Sequence, residues 1–295
     1  MFKLNKLIRN FELNIIHIPN DIDEQSFTFK AEGTSNGYYE FFDATEKNMI
    51  IVLGHEDAEA FKKIDSQEKF FEKLSLRQKI IIVSSTFDIK SIKSFVKKYN
   101  MILLQSTFRK VDLLTVINSY ISYKNAKRKR VHGALVNIFG EGVLIIGDSG
   151  IGKSELVVEL INRNHFFIAD DAVDIFKHNS DFIGTSAEIT RDFIEIRGIG
   201  IINAKQTFGI KSIMKKTKIS LVLNLIKFKK NQEIDRLGSD FLEYKASGGS
   251  IPMMEIPVSA GRNLASIVEA AVTEFKHKKY YQYSAIDDME RKNKN

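Results

Sequence analysis

The chain contains no cysteine. This absence excludes a disulfide scaffold, a thiolate nucleophile, and a zinc or iron–sulfur site with cysteine ligands. It also fits a reducing compartment. Only 3 prolines and 17 glycines occur among 295 residues, which excludes collagen-like sequence and a chain dominated by linkers.

Long apolar runs are missing as well. The longest comparable run, residues 219–226, is short and contains Ser220 and Asn224. No stretch therefore approaches the roughly 20 apolar residues that are needed to span a bilayer. Residues 1–18 carry Lys and Arg among their apolar residues and lack the unbroken apolar core of a signal peptide. The sequence predicts a cytoplasmic protein that does not associate with membranes.

The composition that is present is that of a globular protein. Hydrophobic residues make up 43% and charged residues 27% of the chain, which excludes a disordered polypeptide. A length of 295 residues favours two domains. The net charge of +7 and the pI of about 9.2 are compatible with an acidic partner. Charge alone does not choose among nucleic acid, a membrane surface, a phosphate ligand and an acidic protein.

Residues 1–126 alternate between apolar runs and helical patterns. Three short apolar runs, at 49–53, 80–83 and 101–104, are separated by stretches with helical periodicity. This order predicts a small N-terminal α/β domain with a parallel sheet. It contains no glycine-rich phosphate loop, so we expect this domain to be regulatory or structural.

A basic run, residues 124–130, marks the predicted boundary between the domains. One interpretation makes it an arm that binds nucleic acid or phosphate. The other makes it a solvated linker, and the lack of interleaved aromatic residues for base stacking favours the linker.

A second domain is predicted for residues 131–295. The predicted strands cover residues 131–138, 141–146, 166–169, 194–196 and 218–227. The predicted helices cover residues 154–164 and 263–279. The first two strands are joined at Phe139 and Gly140. This pattern predicts a second α/β domain.

A phosphate loop lies between the second of these strands and the first helix. It matches the pattern G-x-x-x-x-G-K-[ST] in full, with Gly147, Asp148, Ser149, Gly150, Ile151, Gly152, Lys153 and Ser154. The glycines allow consecutive backbone N–H groups to point at phosphate oxygens, and the following helix adds its positive N-terminal end. Lys153 supplies a charge to the β and γ phosphates, and the Ser154 hydroxyl can bind Mg²⁺. The motif predicts nucleotide binding.

Phosphoryl transfer also needs a group that accepts a proton and a second ligand for the metal. The apolar strand at 166–169 ends in Asp170 and Asp171, about fifteen residues after the loop. Neighbouring side chains at a strand end face opposite sides, so we expect one carboxylate at the site and the other in a structural role. Capping of a turn is the alternative for this pair.

Further motifs extend the pattern from residue 131 to about residue 270. In chain order they are Val131-His132-Gly133, the phosphate loop, Ala169-Asp170-Asp171, the run Ile194, Glu195, Ile196, Arg197, Gly198, Ile199, Gly200, Ile201, Ile202 and Asn203, then Asp235-Arg236-Leu237-Gly238, and Pro257, Val258, Ser259, Ala260, Gly261 and Arg262. On these motifs the second half closely resembles the bacterial HPr kinase/phosphorylase family. Over residues 1–125 only length and parallel α/β character support the resemblance.

The resemblance implies a bifunctional enzyme. Family members use ATP to phosphorylate a seryl hydroxyl of HPr, the small phosphocarrier protein of the sugar phosphotransferase system. They also remove this phosphate by phosphorolysis, which releases pyrophosphate. The resemblance further implies a P-loop kinase domain of the phosphoenolpyruvate carboxykinase-like type, Mg²⁺ as cofactor, pyrophosphate as an alternative donor, and a homohexamer.

The resemblance also implies roles for four residues. Asp171 would accept the serine proton in the forward direction and protonate the departing serine oxygen in reverse. Lys153 would hold the transferred phosphoryl group. Ser154 and Glu195 would carry Mg²⁺.

Two further roles depend on the resemblance more than on the residues themselves. His132 is expected beside the phosphates, although a lone histidine after a strand would otherwise be interpreted as structural. Arg236 matches an active-site arginine that spreads charge over the transferred group, although its position alone suggests a surface loop. Glu195 and Arg197 alternate with isoleucines, which is also typical of the polar face of a half-buried strand.

The chain departs from the family at one motif. The resemblance associates this motif with the dephosphorylation reaction. The family commonly has Pro-Val-Arg-Pro-Gly-Arg there, whereas this chain has Ser259 and Ala260 in place of the arginine and the second proline. A cation and a rigid proline are therefore missing. This departure puts phosphorolysis in question and leaves the prediction of kinase activity unchanged.

Two other functions are open on the sequence. A P-loop kinase acting on a metabolite or nucleotide would not respond to HPr, and it leaves the run 194–203 unexplained. An ATP-gated regulator that binds nucleic acid through residues 124–130 would bind DNA with a steep salt dependence. The sequence shows neither a helix-turn-helix nor an aromatic stacking surface for it, so we predict that nucleic acid is not a partner.

Overall fold

The computed structural model describes residues 1–35, 48–62, 67–76, 79–228, 241–246, 248–259 and 261–281. The chain divides into two compact units, residues 1–125 and residues 126–295. Arg236 with the rest of its motif, and Ala260, lie outside the described residues. None of the described helices combines the length and apolar character that a membrane span requires.

Unit 1 contains short strands and five described helices. Its strands are β1 (Phe2–Lys3), β2 (Asn14–His17), β3 (Thr28–Phe29), β4 (Gly33–Ser35), β5 (Met49–Leu53), β6 (Ile80–Val83) and β7 (Ile102–Gln105). Its helices are α1 (Leu4–Asn10), α2 (His55–Lys62), α3 (Gln67–Ser75), α4 (Lys90–Lys98) and α5 (Lys110–Asn125). Strands β4 to β7 run parallel, and β2 joins β7 in the antiparallel direction, giving the order β2-β7-β6-β5-β4.

Strand β6 shows why this sheet forms. All four of its residues are buried. Ile80 and Ile82 pack in the cluster that contains residues of α1 and α5, while Ile81 and Val83 pack in the cluster that contains residues of α2, α3 and α4. A strand that is apolar on both faces needs helices on both faces, which is typical of parallel sheets. The predicted small parallel sheet is confirmed.

A buried ion pair joins the first turns of α2 and α5. The Lys110 ammonium lies 2.6 Å from Asp57 Oδ2 and 3.4 Å from Glu56 Oε1. The side chains of Lys110 and Asp57 are only 8% and 9% exposed. Asp57 Oδ2 also accepts a hydrogen bond from the Gly54 N–H at 2.6 Å. Because a buried charge is costly without a partner, each group depends on the other.

Unit 2 contains the remaining strands and helices. Its strands are β8 (Lys129–His132), β9 (Ala134–Ile138), β10 (Glu141–Gly147), β11 (Phe166–Ala169), β12 (Ala172–His178), β13 (Asp181–Ser186), β14 (Phe193–Ile196), β15 (Gly200–Asn203), β16 (Lys216–Lys227), β17 (Leu242–Ala246) and β18 (Gly249–Val258). Its α-helices are α6 (Lys153–Asn162), α7 (Ala204–Phe208) and α8 (Leu264–Tyr281).

Strand β10 leads into the phosphate loop and lies inside the large sheet. The order of that sheet is β11-β9-β10-β16-β13-β12-β8, with β18 pairing with both β16 and β17. Val143 and Ile145 pack in the same apolar cluster as residues of α6, whereas Leu144 packs in the cluster on the opposite face. The phosphate loop therefore begins at the end of a strand that is held on both edges and both faces.

The basic run differs from the predicted linker. Residues 129–132 form the edge strand β8, which pairs antiparallel with β12. The Arg130 guanidinium donates two hydrogen bonds to Asp174, at 2.8 and 3.1 Å, and the Arg128 guanidinium lies 4.4 Å from the centre of the Phe176 ring. The linker prediction was wrong for residues 129 and 130, because β12 supplies partners that a local reading of residues 124–130 does not show, whereas residues 131 and 132 were predicted to lie in a strand. Positive charge on an edge strand also discourages pairing with a further strand.

Hydrogen bonds join the C-terminal end of helix α8 to the start of β10. The buried Glu141 carboxylate accepts hydrogen bonds from Tyr280 Oη at 2.6 Å and from Lys279 Nζ at 3.0 Å. Burial alone would raise the pKa of Glu141, but hydrogen bonds from Ser220, Tyr280 and Lys279 outweigh it and lower this pKa below its ordinary value of 4.5. The folded state therefore favours the ionised carboxylate.

Glu141→Gln is expected to flatten the acid dependence of stability. Because the folded pKa lies below 4.5, the carboxylate stabilises the fold above pH 4.5, and this contribution is lost as the pH falls through the folded pKa. We expect the variant to be less stable than the parent by about 1–3 kcal/mol at pH 7, with the difference shrinking below pH 4.5. Denaturant unfolding followed by circular dichroism at pH 7, 5, 4 and 3 measures it. Glu243→Gln, at an exposed position of β17, is the control, and equal pH slopes for both variants would contradict the prediction.

Candidate active site

The phosphate loop follows β10 and ends where α6 begins. Gly147 is required by close approach, because a Cβ atom there would lie 2.6 Å from the carbonyl oxygen of Leu225 in the neighbouring strand. Gly152, at the N-cap position of α6, has a φ of +101°, which side chains disfavour. It adds no capping side chain to the helix. The first turn of α6 therefore presents backbone N–H groups and the positive end of the helix dipole to the loop.

The Lys153 side chain bends back onto the start of the phosphate loop. Its ammonium donates hydrogen bonds to the carbonyl oxygens of Gly147, at 2.9 Å, and Asp148, at 3.0 Å. The side chain is buried, although Lys153 lines the cavity that opens beside the loop. The charge is therefore held where a bound phosphate group would meet it.

Asp170 connects three segments of the site. It is 3% exposed, and its Oδ2 accepts a hydrogen bond from Ser154 Oγ at 2.8 Å. Its carboxylate also accepts hydrogen bonds from the backbone N–H groups of Asp171 and Glu195. Burial raises the pKa of Asp170, and these hydrogen bonds oppose that rise. Asp170 thus holds the first turn of α6 against strand β14.

Asp171 stands in a tight turn directly after Asp170. Its φ is +66°, and the Ala172 N–H donates to the Asp170 carbonyl across it at 2.8 Å. This is the rare and strained form of the three-residue turn. His132 Nδ1 lies 2.9 Å from Asp171 Oδ1 and 3.2 Å from the Asp171 carbonyl oxygen. More than half of each of these two side chains is exposed, so the pair faces solvent.

The structure differs from one expectation about the carboxylates of Asp170 and Asp171. They were expected to face opposite sides of an extended strand, with only one at the site. Instead both Asp170 and Asp171 line the same cavity. The reason is the positive φ at Asp171, which ends the alternation of an extended chain.

The structure brings nine of the predicted site residues together around a cavity of about 150 Å³. The lining residues are His132, Ser149, Gly150, Gly152, Lys153, Ser154, Glu155, Asp170, Asp171, Glu195 and Arg197. Segments that are far apart in sequence therefore meet here: the end of β8, the phosphate loop, the turn after β11 and the hairpin of β14 with β15. The lining carries two basic and four acidic side chains beside His132, which suits a phosphate-bearing ligand that arrives with a cation.

Other predicted residues do not line this cavity. Gly147 and Asp148 contribute carbonyl oxygens to Lys153, and Ile151 is buried in the core. From the dephosphorylation motif, Pro257 and Val258 belong to β18, whereas Ser259, Gly261 and Arg262 precede α8. Of the run 194–203, only Glu195 and Arg197 line the cavity.

The hairpin of β14 and β15 separates the two faces of that run. Ile194 pairs with Ile202, and both pack on the core, while Glu195 pairs with Ile201 on the other face. After β14 ends, the Arg197 guanidinium lies against the phosphate loop, because a Cβ atom on Gly150 would be 3.1 Å from Arg197 Nη1. The guanidinium is thus placed to contact a bound phosphate group.

The oxygen ligands in the cavity fit Mg²⁺. The described residues hold no group of three or more His, Cys, Asp or Glu side chains that could bind a metal by themselves. Mg²⁺ in phosphoryl-transfer sites is commonly held by one or two protein oxygens together with phosphate oxygens and water. The Ser154 hydroxyl and the Glu195 carboxylate line one cavity and are oxygen ligands of this kind.

Two lining residues were not assigned as site residues from the sequence. Asp170 was noticed as one half of an acidic pair, but its bond to Ser154 joins residues 16 apart and leaves no local signal. Glu155 is the third residue of the sequence Lys-Ser-Glu that opens α6. Its position next to the phosphate-loop serine is the signal that could have found it.

Comparison with known proteins gives a consistent result. Residues 123–293 match the family model of the HPr serine kinase C-terminal domain. The HPr kinase/phosphorylase of Clostridium botulinum (strain Eklund 17B) is 34% identical over 97% of this chain and 95% of that protein. The protein of the same name from Mycoplasmopsis pulmonis is 32% identical, over 92% of this chain and 91% of that protein. The protein of the same name from Caldicellulosiruptor bescii is 36% identical, over 82% of this chain and 79% of that protein.

A solved structure is also similar. The HPr(Ser) kinase/phosphatase from Coxiella burnetii is 32% identical, covers 51% of this chain and 92% of that chain, and has a TM-score of 0.49. Because this score is below 0.5, the assignment of the chain to a family depends on the sequence matches and not on this structure.

Proposed function

The chain belongs to the HPr kinase/phosphorylase family, and from this premise we propose that it is a protein-serine kinase and phosphorylase that acts on HPr. It transfers the γ-phosphoryl group of ATP to a seryl hydroxyl, and it removes that group by phosphorolysis. The observation that carries the proposal is the cavity in which Lys153 of the phosphate loop and the carboxylate of Asp171 face the same space.

In the forward direction the chain must position a phosphoryl group and remove a proton from serine. The phosphate loop and Lys153 hold the ATP phosphates, and Arg197 adds a second charge beside Gly150. Asp171 takes the hydroxyl proton as the seryl oxygen bonds to the γ-phosphorus and the bond to ADP breaks. His132 holds the Asp171 carboxylate in place through the 2.9 Å contact.

In phosphorolysis, an oxygen of inorganic phosphate bonds to the phosphoserine phosphorus as the bond from that phosphorus to the serine oxygen breaks. The product pyrophosphate contains the transferred phosphoryl group. The serine oxygen then takes back the proton from Asp171. One carboxylate can serve both reactions, because in each a bond between phosphorus and the serine oxygen forms or breaks while that oxygen loses or regains its proton. Arg236, by resemblance to the family, adds positive charge during transfer.

Mg²⁺, when bound at Ser154 and Glu195, would neutralise part of the phosphate charge. Asp170 does not need to bind the metal in this arrangement. It orients the Ser154 hydroxyl and the backbone of Glu195, so that both ligands keep their places. We further propose that pyrophosphate can replace ATP as donor, that the enzyme works in the cytoplasm with HPr, and that it assembles as a homohexamer, as the family resemblance implies.

Kinase activity is tested by mixing the protein with HPr, labelled ATP and Mg²⁺. We expect label on a serine of HPr and no label without Mg²⁺. ATP hydrolysis, or transfer to a small acceptor, with no labelling of HPr would instead support a kinase for a metabolite.

Phosphorolysis is expected to be retained but to depend on the region before α8. Incubating phosphoserine-HPr with inorganic phosphate and Mg²⁺ is expected to release pyrophosphate in step with the loss of phosphoserine. Ser259→Arg with Ala260→Pro restores the common family pattern, and we expect it to raise this rate by a few-fold or more while changing the kinase rate little. An enzyme that labels HPr but releases no pyrophosphate would contradict the phosphorylase half of the proposal.

A further inference from the structure

A second cavity lies in unit 1, at the carboxyl ends of its parallel strands. Its volume is about 360 Å³, compared with about 150 Å³ at the catalytic site. Cavities of about 300–1,000 Å³ are typical of sites for small molecules. The lining comes from the connections that follow β5, β6 and β7, and it consists of Gly54, His55, Glu56, Ser84, Thr86, Arg109, Lys110 and Val111.

The course of the chain opens this cavity. The connections after β5 and β6 lead to α2 and α4, which pack on one face of the sheet. The connection after β7 leads to α5, which packs on the other face. Where neighbouring strands send their connections to opposite faces, a crevice forms at the carboxyl ends, and ligands of α/β proteins commonly bind there.

The cavity presents groups that bind an anion. The buried Lys110 ammonium lines it, and both α2 and α5 begin at it, so two helix N-termini add backbone N–H groups and positive dipole ends. The hydroxyls of Ser84 and Thr86, which lie 3.1 Å apart, also line the cavity. So does the exposed Arg109 guanidinium, which pairs with Asp112 through Nε. These donors favour a carboxylate or phosphate group.

A carboxylate of the chain takes this anion position in the structure. Glu56 accepts a hydrogen bond from its own backbone N–H in the first turn of α2, and its Oε1 lies 3.4 Å from the Lys110 ammonium. The backbone hydrogen bond, together with Lys110, lowers the pKa of Glu56. The carboxylate bends back over Gly54, because a Cβ atom there would lie 2.8 Å from Glu56 Oε2.

Glu56 differs from the other carboxylate on Lys110. Asp57 holds the ammonium from the buried side, whereas Glu56 is 65% exposed. Asp57 is therefore part of the fold, and Glu56 can turn into solvent at little cost. Its departure would leave the N–H groups, the space over Gly54 and one side of the ammonium open to another anion.

We propose that this cavity binds a small metabolite through a carboxylate or phosphate group, which replaces the Glu56 carboxylate beside Lys110 and Gly54. The volume far exceeds that of a lone ion, since one water molecule takes about 30 Å³, so the ligand extends beyond its anionic group. The inference does not depend on the proposed function, because all the residues involved lie in unit 1. It requires that removal of a negative side chain strengthen binding, and that a methyl group over Gly54 prevent it.

Hydrogen exchange followed by mass spectrometry tests the site in the full chain. The probes are inorganic phosphate and acetate in separate titrations, with sodium chloride at equal ionic strength as the reference. We expect protection of residues 54–58 and 107–114, half-maximal at roughly millimolar anion. Protection by either probe supports the site, and the probe that binds more tightly identifies the anionic group. A lack of protection by both probes would overturn it.

Glu56→Ala vacates the position and is expected to lower the half-maximal concentration by about two- to fivefold, the effect of one exposed ion pair. Glu59→Ala removes the same charge from α2 outside the cavity and should leave the value unchanged. Adding Gly54→Ala to Glu56→Ala should abolish protection, because the methyl group fills the anion position. Alanine suits the backbone there, since Gly54 does not have a positive φ.

The variants also separate this site from the phosphate loop, which binds phosphate too. A response transmitted from the phosphate loop would be the same in all variants and would overturn the proposal. Equal half-maximal concentrations for Glu56→Ala and Glu59→Ala would overturn it as well, and this comparison decides even where the double variant does not fold. Exchange of β6 amides without anion checks that fold.

Discussion

Asp171→Asn is expected to lower the rate of phosphoryl transfer to HPr by about 10²–10⁴-fold, which is the usual contribution of general acid–base catalysis. The amide keeps the size of the carboxylate but cannot take the serine proton. The substitution should preserve the turn, because asparagine is among the few residues that tolerate the positive φ of +66° at this position. ATP binding should stay near the parental value, since the phosphate loop and Lys153 are untouched. Single-turnover transfer to HPr, with calorimetric titration of ATP, measures both quantities.

The matched control for this variant is Asp181→Asn. Asp181 is a partly exposed aspartate of β13 that pairs with Lys218 and does not line the cavity. Its transfer rate should equal that of the parent. Phosphorolysis should fall with the kinase activity in Asp171→Asn, because the same group returns the proton. A variant that kept full transfer activity would remove Asp171 from the proposed role.

Lys110→Met is expected to destabilise unit 1 by about 3–5 kcal/mol, the usual cost of removing one partner from a buried ion pair. The substitution fills a similar volume but removes the hydrogen bond from Lys110 Nζ to the buried Asp57 carboxylate. The Gly54 N–H still donates to that carboxylate, but its negative charge is then left without the Lys110 charge. Hydrogen exchange of amides in β5 and β6 reports the free energy of opening of this unit. ATP binding, measured on the same sample, checks that the phosphate loop is intact.

Lys62→Met is the control for the buried pair. Lys62 pairs with Glu59 at 2.8 Å, but both side chains are 57% exposed, so its removal should cost less than about 1 kcal/mol. Asp57→Leu combined with Lys110→Met should recover most of the lost stability, because an apolar pair of similar volume removes both charges. Equal stability of Lys110→Met and Lys62→Met would show that burial of the pair contributes nothing.

Parts of the fold could be predicted from local sequence. The strand at 80–83 and residues 143–146 of the strand at 141–147 are short, uninterrupted apolar runs, and their burial on two faces follows directly from that composition. Strand β12 was not predicted: Val173 and Ile175 alternate with polar residues as in a half-buried strand, but the buried Phe176 directly after Ile175 breaks the alternation. Strand β18 contains Pro252 and Pro257, which weaken a strand pattern, and its pairing with β16 and β17 is decided by tertiary contacts.

The site shows the same division between local and long-range information. The phosphate loop could be identified from eight consecutive residues because its chemistry is local. The direction of the Asp171 side chain could not, because it depends on a positive φ that the sequence does not reveal. The contact of Arg197 with Gly150 joins residues 47 positions apart, so only the folded chain brings them together.

Asp170 has a consequence for how the two substrates affect each other. Its carboxylate holds the Ser154 hydroxyl on one side and the Glu195 backbone on the other, and Glu195 belongs to the hairpin that carries Ile201. A nucleotide that displaces the Ser154 hydroxyl would therefore act on the same carboxylate that holds the Glu195 backbone. Thermodynamic reciprocity then requires that HPr change the affinity for nucleotide by the same factor by which nucleotide changes the affinity for HPr. We therefore expect this one buried carboxylate to couple the binding of the two substrates within a single subunit.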